Sequence, residues 1–251
     1  MGVLVTRPAH QARRLCELIE DCGGRAVRFP VMEIADPGDP GALEPVLAAL
    51  DRYDLAVFIS ANAAARGMPL ILSRRPWPRG LAVAAVGRAS ARELARFGHP
   101  ATICPRKRFD SEALLAMEEL QDMQDRRVVI FRGEGGRELL ADTLRARGAT
   151  VDYAEVYRRV RPEADSGPLL DRWRRGEIDV AVVASGEGLR NLFDLVGEQG
   201  RSLLCETPLV VVSERMVQLA RELGCRAQVL VAEPGDESIV AALKAWRSAA
   251  G

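Results

Sequence analysis

Histidine and lysine are nearly missing from this 251-residue chain: His10 and His99 are the only histidines, and Lys107 and Lys244 the only lysines. Five cysteines occur (Cys16, Cys22, Cys104, Cys205 and Cys225), none in a CxxC pair. Zinc and iron–sulfur centres need Cys/His sets at short spacing, so no metal site is expected. Excess charge is missing too, because 35 Lys+Arg meet 35 Asp+Glu. That leaves no basic field to hold nucleic acid or an anionic membrane. No apolar run approaches the roughly 18 residues of a membrane span. Met1 leads into Val3–Val5 and a polar segment without the basic start of a signal peptide. The expectation is a soluble cytoplasmic protein. Familiar catalytic signatures are absent as well: there is no GxSxG elbow and no GxxxxGK(S/T) phosphate loop. A GxGxxG begun at Gly133 fails because position 138 is Glu138. Any chemistry must use few side chains.

What is present is a globular composition, 48% hydrophobic and 28% charged. Strand-length apolar runs recur at Val3–Val5, Leu55–Ile59, Leu81–Val86, Val128–Phe131, Val180–Ala184 and Leu209–Val212. Helically spaced segments separate them, such as Leu15, Leu18, Ile19 and Cys22. Continuous apolar strands between amphipathic helices indicate an α/β fold with parallel sheets covered on both faces. The halves also repeat. Val3–Arg7 matches Val128–Arg132 at an offset of 125, and Gly23/Gly148, Asp54/Asp179 and Ser60/Ser185 keep that offset. One residue is inserted near Gly224, after which Asp110 meets Asp236. An internal duplication follows, with two similar domains across a cleft. The cut falls near residue 125, or else the halves exchange segments through the extended, Pro-containing stretches Phe29–Asp36 and Ala154–Pro162.

Ligands of parallel α/β sheets meet the loops after the strands, where helix N-termini offer free N–H groups. Here those loops carry Arg7; Ser60 and Asn62; Ser90; Arg132 and Gly133; Ser185; and Ser213 followed by Arg215. Hydroxyls and guanidinium groups there suit an acidic ligand. The serines serve equally well as helix N-caps. Asp54 and Asp179 precede their strands and read as structural. Tyr157 lies in the second extended stretch, either as a phenol able to give a proton to a leaving oxygen or as an amphipathic residue at a domain border.

In order and spacing, several segments match one family. They are Val3–Pro8, Phe29–Ile34, Ser60–Asn62, Val86–Ala91, Phe131–Leu140, Glu155–Arg159, Ser185–Arg190 and Val211–Arg215. Over essentially its full length the chain resembles the uroporphyrinogen-III synthases. The resemblance implies two flavodoxin-like parallel-sheet domains joined by a two-stranded linker, residues 1–34 with 161–251 and residues 35–160. It implies a lyase that closes hydroxymethylbilane to uroporphyrinogen III with inversion of ring D and loss of water, using no cofactor. Tyr157 matches the family tyrosine proposed to help expel the hydroxyl. Ser60, Ser90 and Ser185 match its cleft hydroxyls. Arg7, Asn62, Arg132, Gly133 and Ser213 are further candidate substrate contacts. Ser213 departs from the pattern, since the counterpart of Ser90 at offset 125 is Arg215. A monomer that takes substrate from hydroxymethylbilane synthase is expected. The alternative is a two-domain binding protein for an anionic small molecule, without catalysis; a nucleotide-dependent enzyme is disfavoured by the broken glycine motif.

Overall fold

In the computed structural model, which describes residues 1–249, the chain divides into two compact units. One comprises Met1–Glu33 and the chain from Val160 onward; the other is Ile34–Arg159. The strands among the described residues are β1 (Gly2–Val5), β2 (Arg25–Arg28), β3 (Glu33–Ala35), β4 (Leu55–Phe58) and β5 (Ala82–Ala85), then β6 (Arg127–Gly133), β7 (Thr150–Val160), β8 (Val180–Val182), β9 (Leu209–Val211) and β10 (Val229–Val231). The α-helices are α1 (Ala9–Asp21), α2 (Glu44–Ala48), α3 (Ala61–Leu72), α4 (Arg88–Arg96) and α5 (Ser111–Leu115), then α6 (Leu139–Ala146), α7 (Gly167–Arg174), α8 (Gly186–Glu206), α9 (Glu214–Glu222) and α10 (Asp236–Ala249). Gly197, at φ 60°, breaks α8 into two helical pieces.

The first unit's sheet runs β10-β9-β8-β1-β2, and every pairing in it is parallel. The second runs β3-β7-β6-β4-β5, parallel from β7 through β5. These orders are equivalent: β6 stands where β1 does, β7 for β2, β4 for β8 and β5 for β9. Beyond β5, a parallel bridge from Ala84 to Ile103 marks the position of β10. Each sheet therefore takes its first two strands from one half of the sequence and the rest from the other. The matched aspartates do the same work in both units. Asp54 accepts from Arg127 N at 2.8 Å and Asp179 from Gly2 N at 2.6 Å, each fixing the start of the neighbouring strand. Gly23 (φ 70°) and Gly148 (φ 94°) end the matched helices α1 and α6 in the left-handed conformation that glycine adopts without steric cost.

Side-chain alternation explains why both faces are covered. Leu4, Ala181, Val183, Leu209 and Val211 face the helices α7, α8 and α9. Val3, Val5, Val180, Val182 and Val210 face α1 and α10. In the second unit Ala56, Phe58, Val129 and Phe131 pack under α3 and α4, and Leu55, Val57, Val128 and Ile130 pack on α5 and α6. Phe58 and Phe131, both fully buried, stack at 4.5 Å between centroids with planes 6° apart. They form the floor beneath the loops that carry the candidate residues of this unit.

Candidate active site

At the carboxyl end of β4 the backbone is extended at Ser60 (φ −154°, ψ 161°), and α3 begins. Ser60 Oγ accepts from Ala63 N at 3.0 Å, an N-cap that satisfies one free amide of the first turn. The same oxygen meets the phenol of Tyr157 at 3.1 Å. Tyr157 arrives there from β7 because the β6–β7 register slips between Arg132 and Gly133, so that Gly133 pairs with Tyr157. A Cβ on Gly133 would lie 2.6 Å from the ring atoms Cε2 and Cζ, a distance no side chain survives. Tyr157 is 1% exposed and packs in the Phe58–Phe131 cluster, with the Arg159 guanidinium 6.0 Å from its ring centroid. Ser60 is half-buried, so the serine is the outer member of the pair and the phenol the inner one.

Arg132 lies at the strand end as expected, but its guanidinium is committed within its own unit. Its side chain is 3% exposed. It donates to Glu138 Oε1 at 2.9 Å, to Gly133 O at 3.2 Å and to Gly135 O, and it covers the Tyr153 ring at 4.6 Å. Tyr153 OH in turn donates to Glu138 Oε2. Arg132 thus pins the loop from Gly133 to Glu138, and with it the glycine against which Tyr157 rests. The Tyr153 hydroxyl and the Arg132 guanidinium hold the Glu138 carboxyl below its usual range of about 4.5. A carboxylate with a depressed folded pKa stabilises the fold above its unfolded pKa and loses that contribution as pH falls through the folded value. Hydrogen exchange should therefore show Glu134–Arg137 losing amide protection below about pH 4.5, while Val128–Phe131 stays protected. Equal protection of the loop across that range would contradict the assignment.

Asn62 lies half-buried in the first turn of α3. Ser90 lies in the first turn of α4, 3% exposed, after Gly87, which as N-cap offers no side-chain oxygen.

In the first unit, Ser185 reproduces Ser60. Its backbone is extended (φ −154°, ψ 151°), and its Oγ caps α8 by accepting from Gly188 N at 3.0 Å. No tyrosine stands behind it at the position matching Tyr157. Ser213 is the N-cap residue of α9 and leaves that helix without a side-chain cap, its exposed hydroxyl being held by no amide. Ser185, Ser213, Arg190 and Arg215 line one cavity of 530 Å³ at the carboxyl ends of β8 and β9, together with Glu187 and Glu222. Both candidates that the offset sets against each other, Ser213 and Arg215, thus face the same space. Arg7, in contrast, is ion-paired to Asp236 at the first residue of α10, both side chains largely buried. Neither Arg7 nor Arg132 has a free guanidinium in the folded chain. Arg190 and Arg215, which face this cavity, form no ion pair among the described residues.

Sequence reasoning passes over Thr6, Glu138, Tyr153 and Asp236. Thr6 Oγ1, buried, donates to Val182 O at 2.9 Å and ties the ends of β1 and β8 together. Asp236 carries a signal in its match to Asp110. Glu138 is visible only as the residue that breaks a glycine pattern. No group of three or more His, Cys, Asp or Glu among the described residues is placed to hold a metal ion. No helix among them is long and apolar enough to cross a membrane.

Two parallel α/β units of one strand order, with hydroxyl-capped helices at their strand ends, define a duplicated doubly wound protein of the flavodoxin-like kind. Comparison with known proteins specifies it further. The sequence profile of uroporphyrinogen-III synthase HemD matches residues 13–241. The uroporphyrinogen-III synthase of Escherichia coli K12 is 37% identical over 238 residues, covering 94% of this chain and 96% of its own. That of Proteus mirabilis is 33% identical over 76% of this chain and 97% of its own. Among solved structures, a uroporphyrinogen III synthase of the extremely thermophilic bacterium Thermus thermophilus superposes with a TM-score of 0.65 at 19% identity, covering 100% of this chain and 98% of that one. The Helicobacter pylori uroporphyrinogen-III synthetase gives 0.61 at 12% identity over 99% of both. The chain belongs to the uroporphyrinogen-III synthase family.

Proposed function

We propose that the chain closes hydroxymethylbilane to uroporphyrinogen III, expelling the terminal hydroxyl as water and inverting ring D. Family membership across nearly the whole chain carries this reading, and the residue inventory fits it. Once the hydroxyl departs, the substrate supplies its own electrophile and nucleophile, so the protein needs a proton source and a way to fold a flexible polyanion into one closing geometry. The Ser60–Tyr157 pair is the proton source. Ser60, the outer hydroxyl, donates to the departing oxygen while Tyr157 OH re-protonates Ser60, and the N–H of Ala63 keeps the serine oxygen in place.

Carboxylate arms are held in the cavity between α8 and α9, where two helix N-termini and the guanidinium groups of Arg190 and Arg215 favour anions. Arg7 and Arg132 act as anchors of their loops. Ser90 and Asn62 supply further polar contacts in the second unit. The substrate is short-lived and closes unaided to the type I isomer, so direct hand-over from hydroxymethylbilane synthase to a cytoplasmic monomer completes the reading. Two experiments test it. Protein treated exhaustively with a chelator should still form the type III isomer at the untreated rate; loss that a divalent cation restores would contradict a cofactor-free closure. Replacing both Arg190 and Arg215 by glutamine should raise KM about tenfold at low salt and less at high salt, with kcat little changed. An unchanged KM would remove them from the binding surface.

A further inference from the structure

The C-terminal end of α8 and the turn between α9 and β10 bring two cysteines together. Arg226 N donates to Cys205 O at 2.8 Å and Ala227 N to the same oxygen at 3.2 Å, so the two backbone segments lie side by side. Cys205 Sγ donates to Leu223 O at 4.0 Å, which sets it against the turn that carries Cys225. Those backbone bonds set Cys225 beside Cys205, and Cys205 packs against the apolar cluster that buries Cys225. Cys205 lines a cavity of 380 Å³ whose walls include Arg201, Arg226, Glu198 and Glu206. Cys225 is 8% exposed and does not reach that cavity. Cys16, by contrast, is buried under α10 away from this cavity. None of these groups enters the proposed closure reaction.

We propose that Cys205 and Cys225 form a dithiol site that exchanges with a small charged disulfide entering this cavity, first as a mixed disulfide on Cys205 and then as an internal Cys205–Cys225 disulfide. The Cys205 thiolate attacks one sulfur of the small disulfide and releases the other half as a thiol. Cys225 then loses its proton and attacks Cys205 Sγ, expelling the second half. Two protein thiols and one disulfide become one protein disulfide and two small thiols, so electrons and protons balance. Cys205 alone of the two lines the cavity, so the first exchange falls to Cys205, while burial and the neighbouring Cys205 sulfur push the Cys225 thiol up to about 12. Guanidinium groups and carboxylates on the cavity wall match the carboxylates and ammonium group of a peptide disulfide such as glutathione disulfide. The bond would tie the end of α8 to the turn after α9 and close a loop of the first unit.

The test is incubation of reduced protein with glutathione disulfide, rapid alkylation, and intact-mass and peptide mapping at successive times. In the wild type the adduct should appear on Cys205 and give way to a Cys205–Cys225 cross-link. Cys205→Ser should abolish both species, whereas Cys225→Ser should prolong the adduct on Cys205 at least about tenfold. An unreacted Cys205, an adduct carried instead by Cys16, Cys22 or Cys104, or an adduct lifetime that Cys225→Ser leaves unchanged would overturn the proposal. Both variants replace sulfur with oxygen at nearly constant shape, and the thermal unfolding of each, measured alongside, confirms that the chain is folded when it is assayed.

Discussion

Replacing Tyr157 with phenylalanine is expected to lower kcat roughly 100-fold, the lower end of what a positioned acid contributes, with product affinity changed by less than about threefold. The change removes one oxygen and leaves a ring that still fills the space against Gly133. Stability should fall only by the net worth of one hydrogen bond, about 1 kcal/mol. The diagnostic is the partner. If phenol and serine pass one proton in sequence, Ser60→Ala should cost about as much as Tyr157→Phe, and the double variant little more than either alone. Ser60→Ala also removes an N-cap, and Ser185→Ala supplies the control. Ser185 caps α8 with the same backbone geometry and the same 3.0 Å bond, but without a tyrosine. Its loss should cost about 1 kcal/mol of stability and far less in kcat. Additive effects of Ser60 and Tyr157 on kcat would separate the two residues and reduce the tyrosine to a packing role.

The largest effect on stability should come from Phe131→Ala, about 3–5 kcal/mol in equilibrium unfolding of the second unit. Phe131 is fully buried, stacks on Phe58 and contacts α3 at Gly67, where even a methyl group would crowd the Phe131 ring at 3.1 Å. Deleting the ring leaves a cavity in the layer that supports Ser60 on one side and the Arg132–Gly133 bulge on the other. Because the two pieces of the pair rest on this layer, activity per folded molecule should fall along with stability, unlike a core change in the first unit. Leu192→Ala, in the core under α8, gives that comparison. A loss below about 1.5 kcal/mol for Phe131→Ala would mean that α3 collapses onto β6 and that the stack contributes little.

Much of this architecture is legible along the chain because its causes are local. Strands buried on both faces must be continuously apolar, which is why Val3–Val5, Leu55–Phe58 and Val128–Phe131 stand out. The repeat is legible for the same reason, since Asp54 and Asp179 do one job at one position in each unit. The serine caps also follow from local rules. What escapes is whatever depends on a distant partner or a one-residue slip. Arg7 and Arg132 are matched in sequence, yet Arg7 takes a carboxylate from far along the chain and Arg132 takes one from its own loop. In sequence both read as ligands for substrate carboxylates; in the fold both are already paired. Likewise nothing local says that Tyr157 stands behind Ser60. That contact depends on the slip at Gly133, and the glycine is conspicuous only once the tyrosine ring is seen against it.

The most direct measurement of the central claim supplies hydroxymethylbilane labelled with carbon-13 at its hydroxymethyl carbon to increasing amounts of the purified chain. The product isomers are then separated after oxidation, and the label is located by NMR. Unassisted closure gives the type I isomer, so the account predicts a type III fraction that rises with protein concentration, carries the label at the bridge beside an inverted ring D, and falls sharply with Tyr157→Phe. Type I product alone at every concentration of folded protein would contradict it.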